Sequence, residues 1–155
     1  MAAREGDPDD TIETWSSEYG ELVITHPVTG VIVFTYHGHI GVGAVPVIER
    51  AEERVAALGI RPDLFIDLEK MSGYDSDYRA AVSKWGARTY HRHGEVRVLV
   101  RSLLVAMGIA VSNLTAANKL KPTTKRAEFL AAIDAAIERH RNNASVQSSG
   151  HLPQP

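Results

Sequence analysis

Residues 64–78 read Leu64-Phe65-Ile66-Asp67-Leu68-Glu69-Lys70-Met71-Ser72-Gly73-Tyr74-Asp75-Ser76-Asp77-Tyr78, and their order decides the fold. The apolar run Leu64-Phe65-Ile66, closed by Asp67 and Leu68, has the length and composition of a buried strand. Gly73 marks a short polar connection. Asp75, Ser76 and Asp77 are of the types that open helices, because their short side chains accept hydrogen bonds from free N–H groups of the first turn. A helical pattern begins immediately after them. A central strand thus delivers small polar side chains to the amino end of a helix, where the local potential favours carboxylates, hydroxyls or a phosphate. A functional site is expected here.

Beyond this stretch, Tyr78, Val82, Trp85 and Thr89 recur at helical spacing, and the helix is expected to end near Gly94, after His91, Arg92 and His93. Val96, Val98 and Val100 alternate as in a strand. Residues 103–111 are apolar, interrupted by Gly108, and by length read as helix. A short strand around Leu120 is limited by Pro122. Thr123 or Thr124 opens a last helix with the stripe Phe129, Leu130, Ile133, Ala136 and Ile137.

Upstream, residues 21–26 and 31–37 read as two strands joined across Pro27 and Gly30, a link short enough to force an antiparallel hairpin. The glycine-rich residues 38–43 lead into a helix with Pro46 in its first turn. Ile48, Ala51, Val55 and Leu58 form its apolar face, Glu49, Arg50, Glu52, Glu53 and Arg54 cover the others, and Gly59 caps its end. The order predicts an α/β fold: a mixed sheet of about four or five strands, with an initial hairpin and then alternating helices and strands. Residues 1–14 are expected to be a disordered acidic tail, 15–141 the domain, and 142–155 a second disordered tail. Burying the helical stripes is expected to leave little apolar surface for a large cleft.

The chain of 155 residues suits one domain, and 44% hydrophobic with 23% charged residues is the profile of a globular protein. No apolar run approaches the about 20 residues that span a bilayer. The opening MAAREGDPDD lacks the basic-then-apolar order of a secretion signal, so a cytoplasmic protein is expected. Without cysteine, disulfides, thiolate chemistry and cysteine-ligated zinc are excluded. Residues 1–77 carry 15 acidic and 5 basic side chains, residues 78–155 carry 4 and 12. The expectation is that the two halves of one compact fold attract each other. The sharper alternative is a basic face of Arg88, Arg92, Arg97, Arg101, Lys119, Lys121, Lys125 and Arg126 that meets an acidic partner or phosphates. Aromatic residues are sparse after Tyr90, which argues against nucleic acid.

Two segments resemble the STAS domain family, named for sulfate transporters and anti-sigma-factor antagonists. Tyr36-His37-Gly38-His39-Ile40 is similar to the family's strand-ending segment before its first helix. Leu64-Phe65-Ile66-Asp67-Leu68, with Asp75-Ser76-Asp77 downstream, is similar to its apolar strand and the Asp-Ser-Ser or Asp-Thr-Ser trio that follows. The resemblance runs over about residues 20–140 and implies a STAS-like fold, in a subgroup often placed with lipid-binding Sec14-type folds. It also implies a non-enzymatic regulatory module that docks a protein partner, a kinase-like anti-sigma factor, through Asp75, Ser76, Asp77, Tyr78 and Arg79. In the family the second hydroxyl of the trio is phosphorylated. Here Asp77 stands at that position, and Ser76 is the candidate phosphorylation site. Asp77 supplies one negative charge where phosphoserine supplies about −1.5 to −2, so it mimics the modified state only in part. The alternative is a small apolar-ligand or lipid-binding protein, for which residues 103–111 would move to open a pocket. No cofactor is expected.

Other motifs have plainer readings. Gly41-Val42-Gly43-Ala44-Val45-Pro46 imitates a dinucleotide-binding loop, but Pro46 replaces its third glycine, and a loop before a helix is the expectation. His37 and His39, like His91 and His93, sit two residues apart and are expected as exposed loop histidines rather than zinc ligands. Ser76 with Asp67 and a histidine can be drawn as a triad, yet nothing in the spacing requires it. Trp85, Met107 and Phe129 fall at core spacings.

Overall fold

The computed structural model describes residues 11–101 and 120–149. The stretch 103–111, Met107 and Lys119 lie outside the described residues. Among the described residues six strands form one sheet in sequence order: β1 (Ile12–Ser16), β2 (Gly20–Val28), β3 (Val31–Ile40), β4 (Asp63–Tyr74), β5 (Val96–Leu99) and β6 (Leu120–Thr123). The first three pair antiparallel, and β3, β4, β5 and β6 pair parallel. Pro122, which cannot donate to a ladder, sits where the rule for prolines puts it, on the edge strand. Gly30, at φ 99°, makes the two-residue turn between β2 and β3.

Among the described residues three α-helices cover the sheet. α1 (Val45–Ala56) and α2 (Ser76–Thr89) pack on one face, where Ile48, Ala51, Val55, Tyr78 and Trp85 meet Leu22, Ile24, Phe34, Tyr36 and Leu64. α3 (Arg126–Ser149) covers the other, packing Phe129, Ile133 and Ala136 on Val31, Phe65 and Leu99. Leu64 and Phe65 point to opposite faces, and both are buried. That is why the strand reads as a continuous apolar run. Phe65 and Phe129 meet edge to face at 6.1 Å, each burial contributing about 1.5–3 kcal/mol.

The sheet exceeds the expected four or five strands by β1, which draws residues 12–14 out of the assigned tail. Trp15 packs against the α1–α2 core, and Glu13 bonds Arg54 at 2.8 Å and His26 at 3.3 Å. At the other end α3 continues to Ser149, through residues assigned to a tail from 142. Leu58 and Leu130, placed on apolar stripes from the sequence, are 65% and 47% exposed. β4 runs on to Tyr74 instead of stopping near Leu68, because β3 stays paired with it as far as Ile40.

The charge asymmetry is largely spent inside the fold. Arg88 and Arg92 meet Glu49 and Glu52 of α1, Arg126 meets Asp67 and Glu69 of β4, and Arg139 and His140 meet Asp63. Each of these ties the basic half to the acidic half. Arg97 pairs with Glu95, and Lys125 with Glu128. The cations expected to form one basic face are therefore divided between the two sides of the sheet.

Candidate functional site

Asp75 is the single residue between β4 and α2. Its N–H donates to the Ile40 carbonyl at 3.0 Å, closing the β3–β4 ladder, and its carbonyl accepts the first helical bond from Arg79 N–H at 3.1 Å. The backbone is extended, as an N-cap requires, but the side chain makes no capping bond. It turns instead to His39, whose Nε2 lies 2.6 Å from Asp75 Oδ1. The parallel register that sets Ile40 beside Tyr74 brings these two residues together across 36 positions of sequence. Both are about half exposed, so the pair contributes about 0–1 kcal/mol. With Asp75 engaged elsewhere, Asp77 is the acidic side chain in the first turn of α2 and complements its dipole.

Asp75, Ser76, Asp77 and Arg79 are exposed together at this tip. Tyr78, expected beside them as a partner contact, is 7% exposed and belongs to the core. Its hydroxyl donates to Tyr36 Oη at 3.0 Å, with the rings edge to face at 6.5 Å. Burial pushes the Tyr78 phenol up to about 12, partly offset by its bond to Tyr36, and pushes Tyr36 well above the usual tyrosine value. Both remain neutral hydroxyls at physiological pH.

The plainer motifs resolve individually. Asp67 accepts from Arg126 at 2.9 Å and from the Glu69 N–H at 3.0 Å, and is thereby committed to holding α3 instead of serving a triad with Ser76. A side chain at Gly43 would strike the Trp15 indole, so this glycine lets Trp15 approach the loop. His37 and His91 are exposed, but His37 and His39 stand in β3 and not in a loop, and His93, outside any helix or strand, is 3% exposed, contrary to the reading of these residues as exposed loop histidines. Among the described residues no three His, Asp or Glu side chains stand close enough to share a metal ion.

Two features escape a reading of the sequence. Glu52, assigned to a solvated face, is fully buried and holds Arg92 through Nε at 2.6 Å and Nη2 at 2.5 Å, with His93 Nε2 at 3.3 Å. The bond to Glu52 raises the Arg92 pKa further. The signal was present: position 52 lies four residues after Ile48 and three before Val55, on the buried stripe. The second feature is a cavity of about 310 Å³ between α2 and the sheet, lined by Tyr36, Ile66, Met71, Tyr78, Val82 and Trp85 among others. It contradicts the expectation of little room for a cleft. α2 buries only Tyr78, Trp85 and Thr89, and a Cβ placed on its Gly86 would meet nothing within 4 Å. Trp85 Nε1 is the one buried side-chain polar atom without a hydrogen-bond partner among the described residues.

The same architecture occurs in a solved structure. An uncharacterized protein of the DUF3478 family from Shewanella loihica PV-4, described as having a SpoIIAA-like fold, superposes with a TM-score of 0.56 at 15% identity, over 79% of this chain and 92% of that one. The chain has a SpoIIAA-like fold. This agrees with the STAS-like architecture expected from the sequence. An anti-sigma factor antagonist from Mycobacterium paratuberculosis aligns at 20% identity over 86% of this chain and 99% of its own, with a TM-score of 0.46. No protein-family model and no curated protein matches the chain. No described helix is long and apolar enough to cross a membrane.

Proposed function

We propose that this SpoIIAA-like chain is a non-enzymatic regulatory module of the cytoplasm that docks a protein partner through the tip of α2. The observation that carries the reading is the joint exposure of Asp75, Ser76, Asp77 and Arg79 at a helix start fixed by the β3–β4 ladder. The tip offers carboxylates, a hydroxyl and a cation together, which suits recognition by hydrogen bonds and charge. A kinase-like anti-sigma factor is the proposed partner, and Ser76 is the residue it would modify. A phosphate there gains from the helix dipole by roughly 0.3–1 kcal/mol. It is opposed by Asp77 and by Asp75, which is bonded to His39.

The test is affinity capture from source cells with wild-type, Ser76→Ala and Asp77→Ser baits, and with Leu130→Ser on the opposite face as control. The expected result is a kinase-like partner held by wild type and by the control, whose retention changes with both tip variants. Intact mass after incubation with that partner and ATP reads modification of Ser76. A partner set identical across all baits refutes docking at the tip.

A second reading, binding of a small apolar ligand or lipid, is favoured by the cavity beneath α2. Native mass spectrometry of freshly purified protein tests it, and an apo mass alone counts against it.

A further inference from the structure

Asp75 stands at the cap position of α2 and does not cap it. Its backbone, at φ −72° and ψ 148°, has the extended conformation of an N-cap, yet its side chain makes no capping bond. The N–H groups of Ser76, Asp77 and Tyr78 find no carbonyl four residues back within the helix, and an N-cap carboxylate ordinarily accepts from the second or third of them. His39 holds that carboxylate instead, at 2.6 Å. His39 is itself fixed. Its N–H donates to the Tyr19 carbonyl at 2.9 Å, and a Cβ at Gly73 would stand 3.2 Å from its Nδ1, so the glycine lets the ring lie against β4. The movable partner is the Asp75 side chain, which needs only rotation about its own bonds to reach either the imidazole or the helix end. The other charged groups on the elements around His39 are Glu18 in the β1–β2 turn, Glu21 on β2 and Lys70 on β4, both level with His37, and Asp77 and Arg79 in the first turn of α2.

The two competing bonds are close in strength. A capping carboxylate favours its helix by about twofold to thirtyfold, and an ion pair as exposed as this one contributes up to about fivefold. Imidazoles change charge between about pH 5 and 8, where carboxylates stay ionised. A neutral imidazole can still donate from Nε2, but it no longer attracts the carboxylate as an opposite charge. We propose that His39 and the helix end compete for the Asp75 carboxylate, so that the tip of α2 has two forms selected by pH. In the acid form the imidazolium draws Asp75 aside, neutralises one of the tip's carboxylates and leaves the first-turn N–H groups open. In the neutral form Asp75 folds back onto the helix as its cap, and His39 is released. A docking partner meets a different arrangement of charge and donors in each form. That bearing on recognition rests on the docking reading, whereas the swap itself does not.

The swap is read on the free, full chain by NMR across the histidine range, about pH 5 to 8. The Hα–Hβ couplings of Asp75 give the ratio of its rotamers, and the amide shifts of Asp77 and Tyr78 report the cap. In wild type the rotamer ratio is expected to change about threefold to fivefold along the titration curve of the His39 ring, with the two amides following it. His39→Gln keeps a donor and has no titrating charge, and is expected to abolish the change. His37→Gln is expected to leave it intact. Asp75→Ala separates the cap from the field of the imidazolium, and the amide response is expected to shrink in it. Circular dichroism confirms that each variant is folded. A rotamer ratio constant across the range, a change that survives His39→Gln, or an amide response as large in Asp75→Ala as in wild type overturns the proposal. None of these results involves a partner, so the bait experiment can refute docking at the tip while the swap stands, and the NMR titration can refute the swap while docking stands.

Discussion

Arg92→Ala and Glu52→Leu remove opposite halves of one ion pair, yet the structure assigns them very different consequences. Glu52 has no exposed surface, and Arg92 keeps 38% of its side chain in contact with solvent. Taking away Glu52 and filling its space with leucine releases Arg92 toward water, at a cost expected to stay below about 1.5 kcal/mol. Taking away Arg92 strands a carboxylate inside the protein with only His93, at 3.3 Å, beside it. That class of change costs about 3–5 kcal/mol, a large share of a total stability of about 5–15 kcal/mol. At about 2–4 °C per kcal/mol for a chain of this size, the midpoint should fall by roughly 10 °C in Arg92→Ala and by a few degrees at most in Glu52→Leu.

The double variant Glu52→Leu/Arg92→Ala removes the stranded charge and should be more stable than Arg92→Ala alone. Thermal and urea melts of the four proteins read each of these effects. If Arg92→Ala is no worse than Glu52→Leu, or if the double variant brings no recovery, the account of Glu52 as a charge that depends on Arg92 is wrong.

Three further outcomes are expected. Tyr36 and Tyr78 both have folded-state values above the unfolded tyrosine value of about 10. Their contribution is thus complete below about pH 10 and lost as pH rises through about 12, where Tyr78 alone accounts for roughly 2–3 kcal/mol. Tyrosinate absorbance and unfolding should rise together there, and Tyr78→Phe should shift the alkaline transition. Gly30→Ala meets both a φ of 99° and the His140 ring, so urea unfolding should show a loss above about 1 kcal/mol. Adding His140→Ala should recover only the steric part. Gly86→Ala places a methyl group in open space within α2, and should stabilise by about 0.5–1 kcal/mol in the same assay.

The legible parts of this fold are those set by local pattern. Leu64-Phe65-Ile66 announced a strand buried on both faces, the Pro27–Gly30 link announced the hairpin, and Tyr78, Val82, Trp85 and Thr89 placed the start of α2 to within a residue or two, though it ends at Thr89 and not near Gly94. β1 was lost because Asp9, Asp10 and Glu13 made its surroundings look like an acidic tail, whereas Glu13 is held by Arg54 from α1. The exposed tip was legible because capping residues after a buried strand have few other places to go. His39 was not, since its contact with Asp75 depends on the parallel register of β3 and β4. Tyr78 was placed both on the stripe with Val82, Trp85 and Thr89 and among the partner contacts at the tip, and its burial agrees with the stripe. At Glu52, charge type outweighed position on the stripe.

The two helices on the shared face are held by different means, and this bears on function. α1 buries Val45, Val47, Ile48, Ala51, Glu52 and Val55, whereas α2 buries only Tyr78, Trp85 and Thr89. Tyr78 secures its amino end through Tyr36, and Arg88 reaches Glu49 of α1 near its carboxyl end. Between these points Ala81, Val82 and Trp85 pack on the core beside the cavity. Elements with few buried apolar contacts occupy the low-stability end of a fold, from which binding surfaces are drawn. The proposed docking tip and one wall of the cavity both belong to this helix. A molecule that fills the cavity adds contacts to its inner face, and a partner that grips Asp75, Ser76 and Asp77 fixes its outer end. If both occupants hold α2 in the same position, the free energy that couples them is reciprocal: whatever occupancy of the cavity does for the partner's affinity, the partner does for the ligand's.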